Sequence, residues 1–555
     1  MNRRAFLLTP VNPVSLNAEN TDNKNILSLE PYTDKWNYAE AAYLLQRTTF
    51  GVTPKQIDAA VQAGLEKTIA LLFAKPKAIA PPLNHECNSD PFVPIGKTWI
   101  NAPYLKDDIK IIEYRYSSIR CWIIDVLHNE SVSITEQLTL FWHNHFGVSH
   151  TAEQKASYIF YNLLRENCFG NFKALMKQVS VDTAMLEFLN GSDNKKGSPN
   201  ENFAREMLEL FTVGKGALAN KGDYSTFTEE DVREIAKIFT GWEIKGFYTL
   251  NPQDNGKNVL ESYFAENMHD ASVKRLSHHF NKATIANKGA DEYAHLIDII
   301  FQSENVALHI CRKLYRWFVH HEISASVEQN IIAPLAKQLL NDNYEIKPIL
   351  VKLLSSKHFF STMLHDPKIK NPLEFSVGML KQFQVKLPAD VTKRYQFNRK
   401  VFESCMAMGM EYFGPPSVSG WKAYYQEPLY YNNWINASTL LTRKKLADLI
   451  TTDSLHQNSF GVKIDPVNFI RSIGNPSNAD ALIDAVSDKL FTQKPLLNHQ
   501  KIKLKEILLA EITEAEWTKQ YKRYIANDNT QTTQVEKNLY IFFNHVLCMP
   551  EYNII

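Results

Sequence analysis

The sequence predicts a mainly α-helical, multi-helix globular fold with a small β-hairpin element near 243–264. Apolar residues recur at steps of three and four over most of the chain, which is the period of an amphipathic helix. The two-residue alternation typical of strands is scarce, apart from a stretch rich in β-forming residues at 242–250. The composition agrees with this class, because 44% apolar and 22% charged residues are typical of globular proteins.

The helices are predicted from this spacing along the whole chain. In the first part they are expected at 38–47, 55–73 and 106–127. Ser133, with Glu136 three residues later, has the form of a capping box and predicts a helix from there to about Phe146. The remaining helices are predicted at 153–167, 170–179, 201–213, 228–241, 290–302, 304–320, 327–341, 346–355, 371–386, 398–408, 442–451, 478–490, 498–511, 514–526 and 533–547. Long loops are left at 74–105, 187–200 and 409–436, and such loops often carry function.

The expected domain organisation is simple. Residues 1–35 are predicted to be an N-terminal extension, either poorly ordered or a degenerate signal, because prolines interrupt the apolar region that should follow the twin arginine Arg3-Arg4. This favours a cytoplasmic location, with periplasmic export as the alternative. Residues 36–555 are expected to form one helical domain, with a candidate C-terminal helical subdomain at 440–555. No run of about 18 apolar residues occurs, so no membrane span is expected.

Charge and cysteine spacing exclude several classes of function. The net charge is +1, from 61 basic and 60 acidic residues, so no overall field attracts the chain to nucleic acid. The six cysteines are far apart and never form a Cys-x-x-Cys pair, which excludes a zinc ribbon and a thioredoxin-type motif. Free buried thiols are expected.

The segment 138–146 is the most informative one, since it places two histidines and an asparagine in an apolar run. Polar groups buried in such a run need partners. On a helix, His143 and His145 are about 160° apart, so one metal ion could bind both only if the helix breaks near Gly147. His143 is the stronger candidate ligand, with Glu136 on the same face. The alternative is that both histidines pair with backbone or carboxylate groups and hold helices together.

A second polar patch lies on the helix predicted at 201–213. Asn202, Arg205, Glu206 and Glu209 fall within about 100° of one another. They could simply form surface ion pairs at helical spacing. Alternatively, a carboxylate of this helix meets His143 and completes a mixed His/Glu metal site. No Glu-x-x-His pair occurs, so a standard di-iron bundle site is not supported.

Two further segments are candidates. His269-Asp270 is predicted on a polar loop, where the pair could bind a metal ion or act as a general base. The segment 413–421 is a turn stiffened by two prolines, and it could line a pocket through Ser417, Ser419 and Trp421 or fill space against the core. Nucleophile-elbow, P-loop, Rossmann and His-Glu-x-x-His motifs do not occur, so the common hydrolase, nucleotide-binding and zinc-protease classes are not supported.

These segments, in this order, resemble the bacterial family catalogued as domain of unknown function 1800. The resemblance extends over roughly 40–555 and rests on Leu45–Gly51, Leu140–Phe146, Asn200–Gly214, Asp231–Trp242, His269-Asp270, Lys370–Phe375, Phe413–Trp421 and Cys548–Tyr552. The family has no settled activity. The resemblance implies frequent export and a partner from a second family, domain of unknown function 1501, with a sulfatase-like or phosphatase-like fold. Phe211 stands where a histidine is common in the family, which weakens any site built on that position.

Three functions remain open at this point. The first is a metal-dependent enzyme with His143, His145, Glu206, His269 and Asp270 as catalytic residues and with a divalent ion on His143, Glu206 and His269. In this hypothesis the binding residues are Asn144, Asn202, Arg205, Ser417 and Trp421. The second is a non-catalytic scaffold or partner protein in which these polar groups form a buried network. The third is a haem-type oxidoreductase with a helix histidine as axial ligand.

Overall fold

Helices account for most of the structure, as the spacing of apolar residues predicts. The computed structural model describes residues 27–105, 108–248, 250, 259–361, 367–451, 460–526 and 532–555. Within these ranges the strands form only small, two-stranded antiparallel sheets. The predicted fold class, mainly α with a small hairpin, is confirmed.

Most helices begin and end within a few residues of the predicted positions, but the helix predicted at 398–408 begins already at Val391. Three short helices were not predicted: Thr183–Phe188, Lys357–Ser361 and Pro466–Ser472. In the first half of the chain the α-helices span Tyr38–Thr48, Pro54–Ala63, Leu65–Leu72, Ile109–Asn129, Thr135–Phe146, Gln154–Glu166, Phe172–Ser180, Thr183–Phe188, Glu201–Glu206 and Glu229–Ile238. We call Thr135–Phe146 the histidine helix. In the second half they span Glu292–Ile300, Glu304–Phe318, Ala325–Val327, Ala333–Asn341, Ile346–Leu354, Lys357–Ser361, Pro372–Gln382, Val391–Ala407, Ala437–Thr451, Pro466–Ser472, Ala479–Leu490, Asn498–Leu509, Glu514–Ile525 and Thr532–Cys548.

Three predicted helices, those at 55–73, 201–213 and 327–341, are interrupted in the structure. The helix expected over 55–73 is divided at Gly64, whose φ of 84° ends one helix and starts the next. The helix expected over 201–213 changes into a π-helical turn at Met207–Phe211. A second π-helical turn lies at Glu328–Ile332. Such turns occur frequently at functional sites, so the first of them bears on the site described below.

The predicted hairpin is present. Trp242–Lys245 pairs with Glu261–Phe264 in antiparallel register, with Trp242 opposite Phe264. Two smaller hairpins, which the sequence analysis missed, join Leu218–Asn220 to Asp223–Tyr224 and Lys274–Arg275 to Thr284–Ile285. Their strands are too short for the two-residue alternation to be visible in the sequence.

Both ends of the described chain are tied to its middle. Residues 28–32 pair with 355–358, for example through the Tyr32 backbone N–H and the Ser355 carbonyl (2.8 Å). Ile555 exchanges two backbone hydrogen bonds with Lys368, each 2.8 Å long. The twin arginine of the predicted N-terminal extension lies outside the described residues, and the subdomain boundary near 440 stays a prediction.

None of the described helices is both long enough and apolar enough to span a membrane. This agrees with the expectation from the sequence.

Candidate functional site

Every residue of the histidine helix is buried. The polar side chains of this helix therefore have to find partners inside the protein, as the sequence analysis anticipated. The predicted start of the helix was wrong in one respect. Ser133 accepts a hydrogen bond from the Thr135 backbone (3.1 Å), but the Glu136 carboxyl does not return to Ser133 as a capping box requires. It points to a neighbouring helix instead.

His143 lies in an aromatic enclosure. Its ring is 5.2 Å from that of Tyr412 and 5.9 Å from that of Trp421, and Phe160 and Phe413 complete the surroundings. Burial lowers its pKa to about 3, so the imidazole is neutral at physiological pH. Its Nδ1 has no hydrogen-bond partner among the described residues. The indole Nε1 of Trp421 is likewise buried without a partner in that part of the chain.

The turn at 413–421 packs against the end of the histidine helix. The Trp421 backbone N–H donates to Asn144 Oδ1 at 2.9 Å, so Asn144 holds the turn in place. Ser417 donates to the Gly420 carbonyl at 3.3 Å, within the turn itself. Of the two alternatives from the sequence, filling space against the core agrees better with these contacts. The predicted binding roles of Asn144, Ser417 and Trp421 stay predictions.

This contact between helix and turn requires Gly147. The residue ends the histidine helix with a φ of 63°, and a Cβ atom there would lie 2.3 Å from the Val418 carbonyl oxygen. We expect Gly147→Ala to lower the free energy of unfolding by about 2–4 kcal/mol, from left-handed strain and overpacking together. Gly197→Ala is the matched control, because Gly197 also has a positive φ (84°) but a Cβ there would have no neighbour within 4 Å. Equal losses of unfolding free energy in the two variants, measured by denaturant unfolding, would show that the contact with the Val418 carbonyl does not contribute to stability.

His145 faces a different cluster, as its angular separation from His143 predicts. Its Nε2 donates to the Phe211 carbonyl (3.2 Å), and its Nδ1 accepts from Lys313 Nζ (3.2 Å). Lys313 also donates to the Leu210 carbonyl at 3.0 Å, and His309 donates to the same carbonyl at 2.9 Å.

Burial dominates the electrostatics of this cluster. It lowers the pKa of Lys313 to about 7 and that of His309 to about 3, and it holds the pKa of His145 well below its usual value. The accepting carbonyls belong to the π-helical turn Met207–Phe211. Lys313 and His309 were not predicted as part of a site, although their spacing of four residues on one helix is visible in the sequence.

The acidic patch on Glu201–Glu206 forms ion pairs on the protein surface. Arg205 donates two hydrogen bonds of 2.9 Å to the Glu229 carboxylate and a third of 3.1 Å to Glu201. Asn202 is exposed. Glu206 is half-buried, and burial followed by the nearby charge of Glu209 raises its pKa. These contacts agree with the alternative in which the polar residues of this helix form ion pairs on the protein surface.

His269 and Asp270 are held by local partners. His269 Nδ1 donates to the Thr240 carbonyl (2.9 Å), and Nε2 lies 3.3 Å from Glu292 Oε2. The Glu292 carboxylate is fully buried and lies 2.6 Å from Lys274 Nζ, which is fully buried too. Asp270 accepts a hydrogen bond of 2.8 Å from the Ser272 backbone. Both ring nitrogens of His269 are thus engaged within a closed structural network.

The predicted metal ligands do not come together. Among the described residues, one group of three His, Cys, Asp or Glu side chains has its donor atoms within 4.8 Å of one another, and it consists of Asp223, His278 and His279. His143, Glu206 and His269 do not form such a group. These three residues therefore do not offer the proximity that a shared ion requires, and metal binding by them stays a prediction.

A cavity of about 660 Å³ lies at the start of the histidine helix. Residues 74–81 of the first predicted long loop line it, together with Trp122, Glu130, Glu136 and Arg165. We call it the glutamate cavity. Its volume is in the range of small-molecule sites, which usually combine an apolar wall with a few polar groups. The loop at 74–105 was expected to carry function because of its length, and residues 74–81 of this loop form part of the cavity wall.

Two pairs of charged groups in this wall are joined by ion pairs. Arg165 Nε donates to Glu136 Oε1 at 2.6 Å, and the Tyr161 hydroxyl donates to Glu136 Oε2. Arg394 Nε donates to Asp125 Oδ2 at 2.9 Å. The carboxylates of the wall are thus neutralised within the protein, as buried charges must be.

Glu130 is the exception in this wall. Its Oε1 accepts a hydrogen bond from the Glu136 backbone N–H (3.0 Å), while its Oε2 is buried with no partner among the described residues. Burial, and then the negative charge of Glu136, raises the pKa of Glu130 to about 8. The carboxyl group is therefore protonated at neutral pH. Glu130 was not singled out in the sequence, because it lies in a short polar connection between two helices.

Comparison with known proteins agrees with the resemblance noted in the sequence. The model of one family, described as "Protein of unknown function (DUF1800)", matches residues 43–554. No curated protein and no solved structure matches the chain significantly. Since the family model covers nearly the whole chain, the resemblance is confirmed, and the protein belongs to the DUF1800 family.

Proposed function

We propose that the protein binds a small organic molecule in the glutamate cavity and that Glu130 donates a proton to it. One observation carries this proposal: in the wall of a cavity of about 660 Å³, beside the ion pair of Glu136 and Arg165, the Glu130 carboxyl has a buried oxygen with no partner among the described residues. Burial also raises the pKa of this carboxyl group. Carboxyl groups with pKa values near neutrality are typical of general acids in enzymes. Perturbed groups in a cavity are also typical of functional sites.

The ligand is expected to be neutral and polar. The charges of Glu136 and Asp125 are balanced by Arg165 and Arg394, and Glu130 is uncharged at neutral pH. Lys75 and Lys77 also line the cavity, but both are exposed to solvent. At the buried part of the wall the charges are paired, and burying an unpaired ligand charge there is costly. Trp122 adds apolar surface to the same wall. A hydroxyl-rich molecule such as a small saccharide has the required chemistry.

The metal-dependent form of the enzyme hypothesis, with an ion on His143, Glu206 and His269, lacks support because their donor atoms are not grouped. The haem alternative has no support from the described residues either, because four aromatic side chains enclose His143. The proposed catalytic chemistry therefore moves from the His143 end of the histidine helix to Glu136 at its start and to the neighbouring Glu130.

A non-catalytic partner role is the second candidate. The closed network of His269, Glu292 and Lys274 favours it, because such a network fixes one arrangement of the chain without leaving a group free for chemistry. The proposed partner is a protein of the domain of unknown function 1501 family, as the resemblance implies. In that case His143→Ala lowers the melting temperature but leaves capture of the partner by the folded fraction unchanged.

Blocking the cavity tests the first candidate. Ala78 is exposed and lines the cavity, so Ala78→Trp places an indole at its wall. We expect neutral mono- and disaccharides that raise the melting temperature of the wild type to lose that effect in Ala78→Trp. Ala219→Trp, on the exposed strand Leu218–Asn220, is the matched control and should behave like the wild type. The proposal fails if no neutral polar compound shifts the melting temperature, or if Ala78→Trp retains the shift.

A further inference from the structure

Asp223, His278 and His279 form a cluster that uses none of the residues lining the glutamate cavity. Each residue offers one donor atom, and the three atoms all lie within 4.8 Å of one another. His279 Nε2 is 3.0 Å from Asp223 Oδ1, and the two imidazole rings have their centroids 4.0 Å apart. The set therefore consists of two imidazole nitrogens and one carboxylate oxygen.

The backbone around the cluster is held in place from both sides. Asp223 lies on a hairpin strand and forms a β-bridge with Thr228, the cap of helix Glu229–Ile238. Ser277, the residue before the two histidines, donates from its backbone and its hydroxyl to the buried Asp231 carboxylate, at 2.7 and 2.6 Å. The strand that carries Asp223 and the segment that carries His278 and His279 are thus both anchored at the start of helix Glu229–Ile238, which favours a preorganised site.

Exposure of the cluster leaves room for further ligands. His278 is exposed, and His279 and Asp223 are half-buried, so water and ions have access to the donor atoms. Zinc ions bind imidazole nitrogen and carboxylate oxygen at about 2.0–2.2 Å, and sites with three protein ligands leave the fourth position to water or substrate. Small side-chain rotations bring donor atoms that are within 4.8 Å of one another onto one such ion.

We propose that Asp223, His278 and His279 bind a divalent first-row transition metal ion, for which Zn²⁺ is the probe. The nitrogen-rich donor set selects this class of ion over Mg²⁺ and Ca²⁺, which prefer oxygen ligands. The alternative explanation of the cluster is a simple hydrogen bond between His279 and Asp223 with no ion. The two explanations differ at His278, because this residue would contribute to metal binding but makes no hydrogen bond to Asp223.

Calorimetric titration of the chelator-treated full chain with Zn²⁺ tests the proposal. We expect one ion per chain, bound at least about tenfold more weakly by His278→Ala, His279→Ala and Asp223→Asn. His295→Ala, which replaces a histidine outside the cluster, is the matched control and should bind as the wild type does. Mg²⁺ in place of Zn²⁺ should give no comparable heat.

His278→Ala is the decisive variant. His278 is exposed, so its replacement is expected to leave the melting temperature unchanged while it removes a ligand. A second readout is the visible absorption of Co²⁺ added in place of Zn²⁺, which reports coordination by the protein. The proposal is overturned if the wild type binds no Zn²⁺ at stoichiometric level, or if His278→Ala binds it as tightly as the wild type.

Discussion

Lys274→Met is expected to lower the free energy of unfolding by about 3–5 kcal/mol, because it leaves a buried carboxylate without its cation. Lys274 and Glu292 are both fully buried, with Nζ 2.6 Å from Oε1. After the substitution, Glu292 retains the Lys288 backbone N–H (3.1 Å) and His269 as partners. Denaturant unfolding of the purified variant measures the loss.

An exposed ion pair of the same length provides the control. Lys245 and Glu261 are also 2.6 Å apart, but each side chain is about half exposed, at 55% and 48%. Lys245→Met should therefore cost less than about 1 kcal/mol. Lys274→Met combined with Glu292→Gln should recover part of the loss, because the second substitution removes the uncompensated charge. A Lys274→Met cost no larger than that of Lys245→Met would contradict the structural role given to the His269 network.

Glu130→Gln is expected to change how stability depends on pH. The folded-state pKa of Glu130 is raised to about 8 from an ordinary value of 4.5, first by burial and then by the charge of Glu136. Between these values the folded protein holds a proton that the unfolded chain releases. The contribution of Glu130 to stability is therefore fully present below about pH 4.5 and is lost as the pH rises to about 8, by at most ~1.4 kcal/mol per pH unit.

The measurement is the difference in unfolding free energy between wild type and Glu130→Gln from about pH 5 to pH 9. Glutamine cannot titrate, so the wild type should lose stability relative to the variant as the pH rises through this window. Glu113→Gln, on the exposed face of helix Ile109–Asn129, is the control and should give a nearly constant difference. If the two difference curves are parallel, Glu130 is not held protonated, and the proton donor of the proposed function is removed.

Most of the helical structure could be predicted because its signal is local. Apolar residues at three- and four-residue steps located the histidine helix and nearly all others, and β-forming residues located the hairpin at 242–264. The interruption at Gly64 was missed, because apolar spacing continued across it. The short hairpin that carries Asp223 was missed for the opposite reason, since its strands are too short to show any period.

For the candidate site, the sequence located helices but not partners. Helical geometry correctly separated His143 from His145, which contact different parts of the protein. The same geometry placed Glu136 on the His143 face, and both contact helix Gln154–Glu166, but the Glu136 carboxyl pairs with Arg165 there. The sequence around a residue does not show which distant residue its side chain contacts. The pairings of Glu136 with Arg165 and of His269 with Glu292 could therefore not be derived from the sequence.

The sequence by itself determined the fold class, the family and the burial of the polar residues in the histidine helix. These three properties depend on the order and spacing of residues along the chain, and the sequence contains that information in full. Only the tertiary structure decided which polar groups meet: it separated His143, Glu206 and His269, and it assembled the glutamate cavity and the Asp223 cluster. The physical reason is that burial, the largest cause of the raised pKa of Glu130, arises from segments distant in sequence that pack together.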